Sequence, residues 1–321
     1  MDSTLAPSMR GAGGRRLRLA LTEATVHTGA MRDDVRLVPV ASPLEQRLER
    51  CDGAVEVGFA AGGEGRGTVM RHLYQRTPCR VLFPRTEEDE ILSAVLLTTS
   101  GGLTGGDRLR LAFEAAAGAA VSLTTQAAEK IYRALAGEAR ISLSLSVGDG
   151  AWLEWLPQET ILFDGARLER RSEAALAPGG RLLAGETLVF GRRARGERFR
   201  RGRLYDGWRV RYGGRLAWAD SLRFDGEAGR LIDHPAGCDG AAALATLFYA
   251  ADDASLWLEA ARDFLASCAC RAAATVVNGV LLARLIDRDA AAVRAGVAHL
   301  AASLRAAIAQ LPARPPRLWA I

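Results

Sequence analysis

The chain has 321 residues, of which 49% are hydrophobic and 25% charged, with a formal net charge of +5. At that length this apolar fraction supplies a sizeable core for one large domain or two, which excludes a disordered tail or a fibre. The best candidate for a bilayer span, residues 91–106, is broken by glycines and hydroxyl side chains, so a transmembrane protein is excluded as well.

Residues 1–50 carry little periodicity and are expected to form a loosely ordered extension. Arg10, Arg15 and Arg16 precede no uninterrupted apolar run of signal-peptide quality, and the five cysteines have no framework spacing, so the expected compartment is the reducing cytoplasm. A β-rich body is expected over residues 51–238. Strand-type alternation runs through Val55 and Val57, Val69 to Tyr74, Ile91 to Thr98, Leu109 to Phe113 and Ile141 to Val147. Glycine turns at Gly118, Gly150 and Gly180 each lead into a further strand, and a spacing of roughly 30 residues between such turns is the mark of units that stack, as in a β-solenoid. Laid over those glycines, Ser122, Glu154 and Ala184 share one offset and Thr124, Leu156 and Glu186 another of equal parity, which puts Glu154 and Glu186 on one face. That face is either solvated or the lining of an internal polar channel.

A hairpin is expected around Gly213-Gly214. Residues 239–321 then read as an α+β portion with two helices: a strand over Leu244–Tyr249, a helix over Ala254–Ser267, a strand pair around Asn278-Gly279 and a long helix over Asp289–Gln310. Pro312, Pro315 and Pro316 end the last helix. The fold expected is mainly β, a helical, solenoid-like body with this C-terminal portion attached.

Motifs of hydrolytic or nucleotide chemistry are missing: there is no Gly-x-Ser-x-Gly, no His-Glu-x-x-His and no phosphate loop ending in Gly-Lys-Ser/Thr. Gly101-Gly102-Leu103-Thr104-Gly105-Gly106-Asp107 lacks the lysine of a phosphate cradle and reads as a tight turn closed by Asp107. His27, His72, His234 and His299 are dispersed, and Cys268 and Cys270 read as core thiols, so any metal chemistry must rest on carboxylates. Carboxylates bind borderline divalent ions weakly, which suits passage rather than storage. Two stretches mix acids with large apolar residues: Glu154 to Asp164, and Glu129-Lys130-Ile131-Tyr132-Arg133, which holds the single lysine among 42 basic residues. Arginine cannot imitate a compact ammonium, so Lys130 marks a position with restricted space or charge.

At these residues the chain resembles the urease accessory protein family UreD, called UreH in some organisms. The resemblance rests on Gly101 to Asp107, Thr124 to Arg133, Leu153 to Phe163, Gly185-Glu186 through Gly191-Arg192, and the closing Pro316-Arg317-Leu318-Trp319. Pro157-Gln158-Glu159-Thr160-Ile161-Leu162-Phe163 is its most specific part. The chain departs from the family at Gln75-Arg76-Thr77-Pro78-Cys79-Arg80, and the resemblance is not traced into residues 1–50.

The resemblance implies a non-enzymatic nickel-insertion chaperone that binds apo-urease on one side and the accessory protein UreF on another. UreF in turn recruits the nickel-carrying GTPase UreG. It further implies an internal route whose polar positions here are Asp107, Glu129, Lys130, Glu154 and Glu186, the four carboxylates holding nickel transiently. Gln158, Glu159 and Asp164 are expected at that channel or at an interface. No tightly bound cofactor, nucleic acid or membrane is expected. Two other readings stay open: a polyanion-binding β-solenoid using the arginines of residues 192–203, and, ranked last, a hydrolase with Glu154 and Glu159 as an acidic dyad.

Overall fold

The computed structural model describes residues 50–320 apart from 64–66, 86 and 88, so the expected N-terminal extension lies, save for Arg50, outside the described residues. β1 (Asp52–Ala61) and β2 (Thr68–Arg76) form an antiparallel hairpin, and β3 (Cys79–Leu82) pairs antiparallel with β4 (Leu92–Thr98). The chain then coils. β5 (Arg108–Ala115), β6 (Ala120–Thr125) and the short β7 (Glu129–Ile131) make one coil, and β8 (Ala139–Val147), β9 (Trp152–Trp155) and the short β10 (Thr160–Leu162) the next. β11 (Arg167–Leu176) and β12 (Arg181–Phe190) follow, then the hairpin β13 (Gly202–Tyr212) and β14 (Arg215–Gly226) and the short helix α1 (Ala228–Asp233). The C-terminal elements are β15 (Ala243–Ala250), α2 (Leu258–Ala266), the hairpin β16 (Arg271–Val277) and β17 (Val280–Asp287), and α3 (Ala290–Ala309).

Stacking these coils gives a β-solenoid of about four turns. In the first sheet β1, β5, β8, β11 and β13 run parallel, flanked by antiparallel β2 and β14. In the second, β4, β6, β9 and β12 run parallel, and β15, β17 and β16 extend it antiparallel beyond β12. A short third ladder joins β7 to β10 and β10 to the end of β12. Alternation divides each strand between two surroundings. Leu109, Leu111 and Phe113 of the first sheet meet Leu123, Leu153 and Trp155 of the second in the core between them. The other face of the second sheet, with Trp152, Leu183 and Leu247, packs under α2 and α3 in a separate core.

The long helix forms where its periodicity places it. Val293, Val297, Leu300 and Leu304 are buried, Asp289 caps the start by accepting from the Ala291 amide, and Gln310 ends it in the left-handed region. Asn278 and Gly279, like Gly213 and Gly214, take positive φ, as two-residue hairpin turns require.

The stacking register corrects the sequence reading. The turn glycines with positive φ are Gly118, Gly150 and Gly179, not Gly180, so the third unit falls one residue out of step with the glycine alignment. Glu154 consequently lies beside Ser122 and Leu183, while Ala184 lies beside Trp155. One residue of slip reverses every side chain on a strand. Glu186 therefore faces the space between the sheets and Glu154 the opposite face, beneath α3. β11 is also absent from the strands read in the sequence: five of its ten residues are charged, and the inward Arg170 interrupts its alternation.

Candidate functional site

Two cavities lie between the sheets, and Glu186 lines both. The larger, about 140 Å³, has an apolar wall that includes Leu111, Leu143 and Trp155, and its rim reaches the exposed Gln126, Ala127 and Lys130. Its inner end is polar, with Thr160, Arg170 and Ser172. The smaller, about 20 Å³, is bounded by Glu186, Asp206, Trp208 and Thr246 and ends at Asp220 and Arg284, an ion pair joining β14 to β17.

The strands' inward rows build the polar cluster. In β11 the row is Leu168, Arg170, Ser172, Ala174 and Leu176, and in the adjacent β13 it is Leu204, Asp206, Trp208 and Val210. Parallel pairing sets Arg170 directly beside Asp206. The guanidinium donates from Nε to Asp206 Oδ1 at 2.7 Å and from Nη1 to Thr160 Oγ1 at 3.0 Å, and its Nη2 also lies 2.8 Å from Glu186 Oε2 across the interior. Asp206 thus receives two of the guanidinium's contacts and Glu186 one. Burial pushes Glu186 well above the usual carboxylate range, against the pull of Arg170.

Glu129 sits nearer the rim, half-buried, accepting from Thr98 Oγ1 at 3.2 Å. Burial raises its carboxyl from 4.5 to about 7, against the Thr98 hydroxyl and Lys130. The folded chain therefore keeps a proton that the unfolded chain releases between those values, and this group's contribution to stability falls as pH rises through that window. Glu129→Gln is expected to flatten that slope, leaving stability unchanged at pH 4 and raising it by about 1–2 kcal/mol above pH 7. Denaturant midpoints across that range check it, and parallel curves for the two proteins would contradict it.

The other expected residues have different surroundings. Asp107 is buried in the turn it closes, accepting from the Cys51 amide at 2.9 Å and the Thr104 amide at 2.7 Å. The glycines there serve close approach: a Cβ on Gly105 would lie 2.1 Å from the Ala136 carbonyl oxygen of the next coil. Glu154 lines neither cavity. It is buried under α3, where its Oε1 accepts from Trp152 Nε1 at 3.0 Å and Arg305 Nε at 2.9 Å. Glu159 pairs with Arg294 of α3 at 2.6 Å, so the supposed acidic dyad consists of two separately neutralised groups. Gln158 lines the larger cavity and ties it to α3 and the C-terminal tail, donating to the Gln126 carbonyl at 2.7 Å and the Leu318 carbonyl at 3.4 Å and accepting from Arg294. Asp164 accepts from the Arg200 and Arg201 amides at 2.9 Å and fixes the loop between β12 and β13. Of the eight, Glu129, Lys130, Gln158 and Glu186 share the larger cavity.

Arg170 and Asp206 are functional candidates that the sequence reading missed. Their signal was a charge at an inward position of an alternating strand, concealed for Arg170 by the unread β11 and for Asp206 by its place near the start of β13, away from the hairpin turn at Gly213-Gly214. The arginines of residues 192–203 are extensively engaged: Arg192 pairs with Glu197, Arg198 with Asp233, Arg201 with Glu227 and Arg203 with Glu138, while Arg193 donates to the Gly240 and Ala241 carbonyls. A polyanion would have to displace these acids. Among the described residues no group of three His, Cys, Asp or Glu is arranged to hold a metal ion, and no helix is long and apolar enough to cross a membrane.

Comparison with known proteins gives a consistent result. A family model described as UreD urease accessory protein matches residues 51–320. The urease accessory protein UreD of Magnetococcus marinus is 42% identical over 275 residues, covering 84% of this chain and 94% of that protein. UreD of Rhodopseudomonas palustris is 44% identical over 272 residues, covering 84% and 92%. UreD of Granulibacter bethesdensis is 44% identical over 239 residues, covering 74% and 99%.

Proposed function

This chain belongs to the UreD urease accessory protein family, and we propose that it is a non-enzymatic chaperone of urease maturation, a cytoplasmic scaffold on which nickel enters apo-urease together with UreF and the GTPase UreG. Nickel is the cargo of this reading, held transiently, with no tightly bound cofactor. The observation that carries it is the pair of cavities between the sheets, one on each side of Glu186, with a polar cluster set in mainly apolar walls. A second buried acid on a cation that another acid already binds with two prongs is a poor stability device, so its presence in a cavity wall favours a role in passage. Glu129 near the rim and Glu186 at the junction supply hard oxygen donors in small number, which gives weak binding and ready release.

The test is urease activation in cells that co-express this chain, its accessory partners and the urease subunits. Glu186→Gln keeps side-chain size, and Glu129→Gln does the same near the rim. With each variant folded and still co-purifying with UreF and urease, nickel per urease is expected to fall at least about tenfold, the scale on which losing a group that orients a metal acts. Undiminished nickel content in both folded variants overturns the passage. Asp107→Ala is a poor substitute for either, because it strips two backbone amides of their acceptor.

A further inference from the structure

We infer that Arg170 is the internal gate of this passage, closing the junction between the two cavities when its guanidinium is bound to Asp206 and Glu186 and opening it by swinging along β11 toward Ser172. The inference rests on the passage reading above and adds the element that regulates it. Arg170 lines the larger cavity, Asp206 the smaller, and Glu186 both. The guanidinium that joins them thus stands at the boundary, held by Asp206, Glu186 and Thr160.

The second observation is Ser172. Its hydroxyl is buried and has no hydrogen-bond partner among the described residues, although it lines the larger cavity. A buried hydroxyl left unpaired is costly and calls for an explanation. Ser172 lies two residues from Arg170 on the same inward row of β11, within reach of a long side chain that rotates into the adjoining 140 Å³ of space. It supplies an acceptor for the displaced guanidinium, so the arginine has two seats rather than one. A divalent cation taking both carboxylates at the junction replaces the positive charge that the arginine withdraws, which makes the cargo itself the agent that opens the gate.

The experiment reads access to the far cavity in the full-length chain. A cysteine placed there by Thr246→Cys is labelled by oxidation with hydrogen peroxide, a probe little larger than water, and site-resolved mass spectrometry of the sulfinic and sulfonic acids separates it from the native thiols. Labelling is expected to be slow in the otherwise unsubstituted chain and to accelerate about 10- to 1000-fold with Arg170→Met, the factor by which a minor open state limits access. Ala127→Trp at the rim of the larger cavity should abolish that acceleration. Because Arg170→Met strips Asp206 of its guanidinium, a second variant leaves the closed cluster intact: Ser172→Ala should slow labelling about three- to tenfold, the factor one hydrogen bond carries. The gate is overturned if Arg170→Met fails to accelerate labelling, if the acceleration survives Ala127→Trp, or if Ser172→Ala leaves the rate unchanged. If labelling behaves as expected while Ala127→Trp leaves urease nickel content intact, the gate stands and the nickel reading falls.

Discussion

Replacing Arg305 by methionine is expected to destabilise the protein by about 3–5 kcal/mol, the cost of leaving a buried carboxylate without its cation. Arg305 projects from α3 into the core beneath it with 4% of its side chain exposed, and Glu154, which receives its Nε, is 1% exposed. The same guanidinium donates to both carboxylate oxygens of Glu90, at 3.1 and 2.9 Å, and to the Pro312 carbonyl at 2.9 Å. One side chain thus ties the second sheet, the segment before β4 and the C-terminal tail to the helix. Glu154 Oε2 has no partner among the described residues, so no other group can take over the charge once the arginine is gone. The double variant Arg305→Met with Glu154→Gln removes both charges and is expected to recover most of the loss. Urea denaturation of the two variants checks this; a loss below about 1 kcal/mol for Arg305→Met would show that Glu154 is not held as an ion.

Asp206→Ala is expected to cost a similar amount, about 3–5 kcal/mol, whereas Glu186→Gln costs less than about 1 kcal/mol. Both acids contact Arg170, but they do so differently. Asp206 receives the guanidinium in a two-pronged arrangement and is 4% exposed, so its loss strips a buried cation of two hydrogen bonds and leaves it the single contact with Glu186. Burial already raises the Glu186 carboxyl far toward its neutral form, and an amide of the same size replaces it with little change of charge. The contrast would assign the stability of the cluster to Asp206 and leave Glu186 as the acid that the proposed passage requires. Equal losses for the two variants in denaturation would remove that distinction.

Much of the body was legible because alternation is a local property. Leu109 to Phe113 and Ile141 to Val147 place their apolar residues at every second position, and the structure buries those residues between two sheets. The turn chemistry of Asn278-Gly279 and the three- and four-residue spacing in α3 were equally local, and equally plain. The stacking of coils was legible in outline from the spacing of the glycines. Its register was not, since Gly179 and Gly180 are adjacent and only the backbone conformation tells which one turns the chain.

The candidate site divides in the same way. Residue type marked Glu129, Lys130, Gln158 and Glu186, and all four line the cavity. Residue type equally marked Glu154 and Asp107, which serve a helix contact and a turn. A carboxylate among apolar residues announces that it needs a partner, without announcing which. Glu154 finds its partner about half a chain away in Arg305, and Arg170 finds Asp206 on the neighbouring coil.

By itself, then, the amino-acid sequence determined the alternating strands other than β11, the hairpin turns, the helices of the C-terminal portion and the family, because each depends on neighbours a few residues apart or on motifs intact in the chain. Only the tertiary structure decided which face each acid occupies and which arginine it meets. The reason is physical: a one-residue difference in a turn inverts an entire strand, and the ion pairs that make an acid structural or available join residues that nothing in their local pattern connects.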